Sequence, residues 1–276
     1  MKAYTLGRHV SVAGGIHNAP EYAEELGCNA MQVFISNPRS WSMAKIDGHE
    51  EKEYEKAAEK HGIKVAVAHM PYLPNLASPK KDTRDKSLKS LADNLKGCDE
   101  LHIPYLVTHL GSSMGSDKKA SLKGIAELVS EAMEAKAKCS ILFENQAGTK
   151  NSVGSDLNDL AELRDLLPTA SAGFCLDTCH AFAAGYDLRK TETIERIGSE
   201  LGFGNIKCLH LNDAMFELGS HRDRHQNIGF GYIGTAGFRT LLSHDGISSK
   251  PLILETPISE NIDPGEEIML VKSMIS

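Results

Sequence analysis

No apolar run in the 276-residue sequence approaches the roughly 20 residues needed to span a bilayer, and its first residues, MKAYTLGRHVS, carry no apolar signal core. A cytoplasmic location is therefore expected. Close-paired cysteines are also missing: Cys28, Cys98, Cys139, Cys175, Cys179 and Cys208 are scattered without a CxxC pair, which excludes a Cys₄ structural zinc site and suits reduced thiols. Positive charge is in deficit, with 30 Lys and Arg against 37 Asp and Glu, a formal net charge of −7 and a pI near 5.9. A protein that grips nucleic acid by bulk charge needs the opposite balance, so a polyanionic partner would require a local positive site such as bound metal. There is no Pro/Gly/Ser linker and no low-complexity segment, so residues 1–276 are expected to form a single domain.

What is present is an alternation. Apolar, β-branched segments at 6–12, 30–36, 64–70, 105–111, 140–146, 172–178, 206–212 and 251–256 predict strands. Between them, helical periodicity occupies 17–27, 48–61, 82–101, 118–138, 156–166, 190–200, 236–244 and 260–274. Eight uninterrupted βα units predict an α/β fold, a single (β/α)8 TIM barrel, over an open doubly wound sheet. Asp117, Asp156 and Asp187 precede helical segments as N-caps, Pro168 closes the fifth helix, and Leu88, Leu91 and Leu95 form a stripe suited to a barrel wall.

The ionisable residues fall in a pattern of their own. His69, His109, Glu144, Asp177, His210 and Glu255 each lie at or near the C-terminal end of a predicted strand, and in a barrel those ends surround one mouth. One histidine there is ordinarily a rim or core residue. Three imidazoles and three carboxylates together are costly to bury unless paired or metal-bound, and such donors suit zinc or manganese. In the charged stretch HRDRH (221–225), read as an extended loop, Asp223 and His225 share a side and could converge on one ion, whereas Arg222 and Arg224 point the other way. His180 offers them a third partner. Cys179 beside it raises a Cys/His nucleophilic pair, but adjacent residues on an extended strand diverge, so a buried thiol behind the site is the stronger reading.

LDTCHAFAAGYD (176–187), LHLND (209–213) with DRH (223–225), THLGS (108–112), FENQAG (143–148), LET (254–256) and HVSVAGG (9–15) together resemble the endonuclease IV family, the zinc-dependent apurinic/apyrimidinic endonucleases. The resemblance spans essentially the whole chain. It implies three zinc ions: one held by His69, His109 and Glu144; a second by Glu144, Asp177, His210 and Glu255; a third by His180, Asp223 and His225. It further implies hydrolysis of the phosphodiester 5′ to an abasic site in duplex DNA, leaving a 3′ hydroxyl, together with removal of blocked 3′ ends. Close metal ions suit that chemistry, because they acidify a water to hydroxide and polarise the phosphate. Glu144 would then hold the nucleophile and Glu255 orient it or take its proton. Arg39 in NPRSW (37–41) and Tyr72 and Leu73 in PYLPNL (71–76) match positions that wedge into DNA. A monomer is expected, and three divalent ions would bring the formal charge to about −1. Arg8, Phe230 and the AGTKNSVG segment (147–154) depart from the family pattern, at positions that bear on local DNA contacts rather than on the ligands. A divalent-metal sugar isomerase or epimerase, using only Glu144, Asp177, His210 and Glu255, is the main alternative, and a non-enzymatic metal-binding barrel is a third. The residues leave open whether His9 and His221 approach the cluster.

Overall fold

The structure is a computed structural model that describes residues 4–43, 46–135, 137–167, 172–258 and 262–275. Eight parallel strands close on themselves: β1 (Leu6–His9), β2 (Ala30–Val33), β3 (Val65–His69), β4 (Tyr105–His109), β5 (Ser140–Glu144), β6 (Ala172–Asp177), β7 (Ile206–His210) and, after a small ladder, β10 (Leu252–Leu254). That ladder is an antiparallel pair, β8 (Asp213–Ala214) with β9 (His225–Gln226), lying outside the barrel. The helices are α1 (Ala19–Glu25), α2 (Gly48–Lys60), α3 (Lys81–Glu100), α4 (Lys118–Ala132) and α5 (Leu157–Asp165). They continue with α6 (Thr178–Ala183), α7 (Thr191–Leu201), α8 (Gly234–Ser243) and α9 (Pro264–Ile275). The chain is thus a (β/α)8 barrel, as the eightfold alternation predicts. Among the described residues no helix is long and apolar enough to cross a membrane.

Strand parity determines what faces where. Successive side chains on a strand point to opposite faces, and Ala30, Val67, Val107, Leu142, Cys175, Cys208 and Ile253 pack together as an apolar plug inside the barrel. Their neighbours, among them Leu6, Met31, Ala68, Leu106, Phe143, Leu176, Leu209 and Leu254, join the larger core under the helices. Gly7 also faces inward, where a Cβ would come within 2.0 Å of the Ala30 carbonyl oxygen, so only glycine lets β1 approach β2 this closely. On α3, Leu91 and Leu95 are buried against the barrel and Leu88 packs at their edge, the stripe its spacing predicts.

Several local expectations are corrected. Asp117 and Asp156 do cap α4 and α5, accepting from the amides of Ala120 and Asn158. Asp187 does not cap a helix: α7 begins four residues later after Lys190, and the Asp187 carboxylate instead accepts from Nε and Nη2 along one edge of the Arg189 guanidinium at 2.6 and 3.1 Å. A bidentate ion pair of this kind outcompetes a single amide bond. The helix ended by Pro168 stops at Asp165, and Pro168 itself lies outside the described residues. Helix α6 is an addition: the Asp177 carboxylate caps it by accepting from the His180 amide at 2.7 Å, turning the chain immediately after β6.

Asp213, fully buried, organises the loop that follows β9. Its carboxylate accepts from the amides of Gly229 (2.9 Å), Gly231 (3.0 Å), Ile233 (2.9 Å) and Gly234 (3.2 Å). Replacing it with alanine strands several buried donors, each of which costs about 1–3 kcal/mol. Asp213→Ala is expected to lose at least about 2 kcal/mol of unfolding free energy in urea titrations. A loss within error of zero would show that water replaces the carboxylate.

Candidate metal centre

Each mouth residue stands two positions after an inward-facing plug residue, so parity delivers them all to one place. His69 follows Val67, His109 follows Val107, Glu144 follows Leu142, Asp177 follows Cys175, His210 follows Cys208 and Glu255 follows Ile253. The same rule brings in His9 after Gly7 and Gln32 after Ala30. The sequence left His9 open and gave no sign of Gln32, because glutamine is not a metal donor of choice and β1 and β2 carry no carboxylate. The available signal was the register of the strands.

The donor atoms gather in three sets. His69, His109 and Glu144 form one; Glu144, Asp177, His210 and Glu255 form another; Asp177, His180 and His225 form the third, and in each the ligand atoms lie within 4.8 Å of one another. Asp223 reaches the third set from the loop, with Oδ1 3.2 Å from His180 Nε2 and 3.6 Å from His225 Nε2. Asp177 is nearer this set than expected, its Oδ2 lying 3.6 Å from His225 Nε2, so it borders two sets as Glu144 does. Oxygen and imidazole donors this close, with no thiolate among them, suit divalent ions of borderline hardness such as zinc or manganese.

The imidazoles are oriented for such a role. His69 donates its Nδ1 proton to the Met70 carbonyl at 2.6 Å and His225 to the Glu255 carbonyl at 3.3 Å, while the Nδ1 proton of His180 is shared between the Asn145 carbonyl at 3.0 Å and Glu144 Oε1 at 3.3 Å. Each therefore turns Nε2 toward the centre. The Gln146 amide holds Nδ1 of His109.

Electrostatics follow from this crowding. Burial by itself would keep Glu144 protonated, yet the charges of His109 and His210 and hydrogen bonds from His180 and His210 hold it well below the usual carboxylate range. For His210, burial is likewise outweighed by Glu255 and Glu144, which push it up to about 10. Burial prevails at His109, which is lowered. Asp223 falls to about 2, because its hydrogen bond and charge interaction with His180 exceed its desolvation.

Above the centre lies a cavity of about 330 Å³ lined by His9, Phe34, Tyr72, Asp223 and the imidazoles of His69, His109, His180 and His225. Arg39, Tyr72 and Leu73 are all exposed, Tyr72 lines this cavity, and the Tyr72 amide donates to the Pro38 carbonyl at 3.2 Å, tying the loops after β2 and β3 together. Phe34 stands edge-on to Tyr72 with ring centroids 5.3 Å apart. His9 does approach the cluster, with Nδ1 3.8 Å from Glu255 Oε1. His221 does not join the donor sets: its Nδ1 donates to the Ala147 carbonyl at 3.3 Å on the loop after β5. Cys179 sits on α6 rather than on an extended strand, its thiol donating to the Arg224 carbonyl at 3.4 Å, and burial pushes it up to about 12. This is the buried thiol behind the site, and its burial argues against a Cys/His nucleophile. Arg222 stacks over Phe216 at 3.5 Å and Arg224 folds onto the Asp223 carbonyl, so both arginines point away from the donors.

Barrel and donor ring together define a class: residues 20–272 match the family model described as a xylose isomerase-like TIM barrel. Within it, the chain is 42% identical to "Probable endonuclease 4" of Nitrosopumilus maritimus, covering 97% of this chain and 98% of that protein. The crystal structure of endonuclease IV from Thermus thermophilus superposes with a TM-score of 0.88 at 30% identity, covering 98% of each chain. The chain belongs to the endonuclease 4 family. A D-tagatose 3-epimerase-like protein, at 20% identity and a TM-score of 0.75 over 98% of this chain and 96% of the other, shares the fold alone.

Ion binding at these sets competes with protons. The raised value of His210 means that its contribution to the stability of the metal-free chain is complete below pH 6.5 and disappears as pH rises through about 10. The lowered value of Asp223 gives a contribution complete above pH 3.8 that disappears as pH falls through about 2. An ion entering near neutral pH must displace the His210 proton, so apparent affinity is expected to rise with pH between 6.5 and about 10. Calorimetric zinc titrations in buffers of different ionisation enthalpy should show net proton release, and heats independent of buffer would contradict the assignment.

Proposed function

We propose that this chain is a metal-dependent DNA-repair endonuclease that hydrolyses the phosphodiester 5′ to an abasic site in duplex DNA, leaves a 3′ hydroxyl, and also clears blocked 3′ ends. It acts as a cytoplasmic monomer, a single barrel domain over residues 1–276, with three zinc ions. The observation that carries the reading is the surplus of donors. One ion for sugar isomerisation needs only Glu144, Asp177, His210 and Glu255, which leaves His69, His109, His180, Asp223 and His225 without a task, although they lie against those four. Endonuclease names among close relatives agree with the surplus.

When bound, the ions would supply Lewis-acid polarisation of the scissile phosphate and an acidified water. The chain's own part is orientation and exclusion. Glu144, which belongs to two sets, holds them in fixed relation. Glu255, which lines the cavity, orients the attacking water or takes its proton. Arg39, Tyr72 and Leu73 fill the gap in an unstacked duplex, and an abasic nucleotide is selected because it costs least to extrude. The bland reading of these three residues, ordinary loop packing, fits poorly with a Tyr72 side chain that is 66% exposed.

The direct test is a duplex carrying one abasic analogue, incubated with metal-loaded protein. A nick 5′ to the lesion is expected, and its absence with about three zinc ions bound would sink the activity even with the fold correct. Asp223→Ala is expected to lose metal and most of the activity. Arg222→Ala, which removes only the stack on Phe216, should retain the metal by elemental analysis and at most weaken DNA binding. Equal metal loss in the two variants would contradict this division of the loop.

A further inference from the structure

We propose that Gln32 is a positioning residue of the metal centre, fixing the proton of His210 on Nε2 so that Nδ1 faces Glu144 and Glu255; the inference rests on the metal-dependent reading above. Gln32 is fully buried on β2 and points into the barrel two residues after Ala30. Its side chain meets three others. Nε2 lies 2.5 Å from Glu255 Oε1 and 3.1 Å from His9 Nδ1, and Oε1 lies 2.7 Å from His210 Nε2.

The chemistry of the partners decides which way the amide faces. An ionised carboxylate only accepts hydrogen bonds, so the amide nitrogen must face Glu255; turned over, two acceptor oxygens would stand at the same short distance. The amide oxygen then faces His210 and can only accept, so His210 Nε2 carries hydrogen. Its other nitrogen, Nδ1, is 3.1 Å from Glu144 Oε1 and 3.2 Å from Glu255 Oε2, where a lone pair serves an ion. The second amide hydrogen goes to His9 Nδ1, which leaves His9 protonated on Nε2 when neutral.

His210 is thereby the reverse of its neighbours. His69, His180 and His225 give their Nδ1 protons to main-chain carbonyls and turn Nε2 inward. The outer proton of His210 goes to a side chain, and among the described residues no main-chain carbonyl is bonded to it. Without Gln32 this proton has no partner in a fully buried place, and Glu255 loses the donor that fixes its other oxygen. Partners of this kind around a metal ligand typically govern affinity by about 10- to 100-fold.

Nitrogen-15 NMR of histidine-labelled, zinc-loaded protein is expected to show His210 protonated at Nε2 and metal-bound at Nδ1. Gln32→Leu should weaken the set containing His210 by about 10- to 100-fold in zinc competition with a chelator and should perturb the His210 nitrogen shifts. Gln32→Glu keeps the acceptor and removes the donor, so it should preserve the His210 tautomer while still weakening zinc. In the zinc-loaded wild type, a proton on His210 Nδ1 with the metal on Nε2 would overturn the proposal without recourse to any variant. Unchanged zinc affinity in folded Gln32→Leu would also overturn it. A wild-type chain that binds no zinc would instead overturn the metal reading itself, and this inference with it.

Discussion

The carboxylate of Glu144 is closed off from solvent and stands within 3.5 Å of imidazoles from His69, His109, His180 and His210, carried by four different elements. An isolated buried charge is far too unfavourable to persist, and a broken buried pair costs several kcal/mol, so no member of this array is tolerable alone. Barrel closure is what makes it possible. Adjacent strands already set His109 beside Glu144 and Asp177 beside His210, and closure of β1 on β10 curves the sheet so that residues of the non-adjacent strands β3, β5 and β7 meet across one mouth. The apolar plug beneath supplies the other half of the arrangement, since it excludes water from below while the open mouth admits a ligand from above. Protons hold the array together in the absence of ions, so metal binding and folding draw on the same charges.

Much of this was legible in the chain, for a physical reason. Parallel strands buried on both faces write themselves as short apolar runs, and an ionisable residue terminating such a run stands out, as His69, His109, Glu144, Asp177 and His210 do. Other features were not legible because they depend on partners distant in sequence. The two-residue ladder that brings His225 beside Ala214 has no periodicity to detect, and the α6 turn is set by a single carboxylate that also serves the centre. Asp187 carried a plausible capping signal, but Arg189 two residues on took the carboxylate. Gln32 was invisible for a different reason: its role is written only in what surrounds its amide.

The departures from the family pattern also acquire a physical meaning. Arg8 alternates with His9 on β1, so its side chain does not join the donor ring, although the residue borders the cavity above it. Its Nη2 donates to the Thr256 carbonyl at 2.9 Å and its Nη1 lies 3.6 Å from Glu267 on α9. Glu267 in turn accepts from the Thr256 hydroxyl and the Ile228 amide, bracing the segments just after Glu255 and His225. The arginine therefore buttresses ligand-bearing chain from behind. Phe230, in contrast, is 65% exposed on the loop gathered by Asp213, an apolar side chain displayed on a stiff support.

The three imidazoles whose outer protons rest on main-chain carbonyls carry an implication for tolerance of change. A carbonyl belongs to every residue, so no single substitution at Met70, Asn145 or Glu255 deletes the acceptor that orients His69, His180 or His225. His109 and His210 lean on the side chains of Gln146 and Gln32, which one codon can remove. Fragility of ligand orientation is thus concentrated at two glutamines, and neither of them donates to an ion.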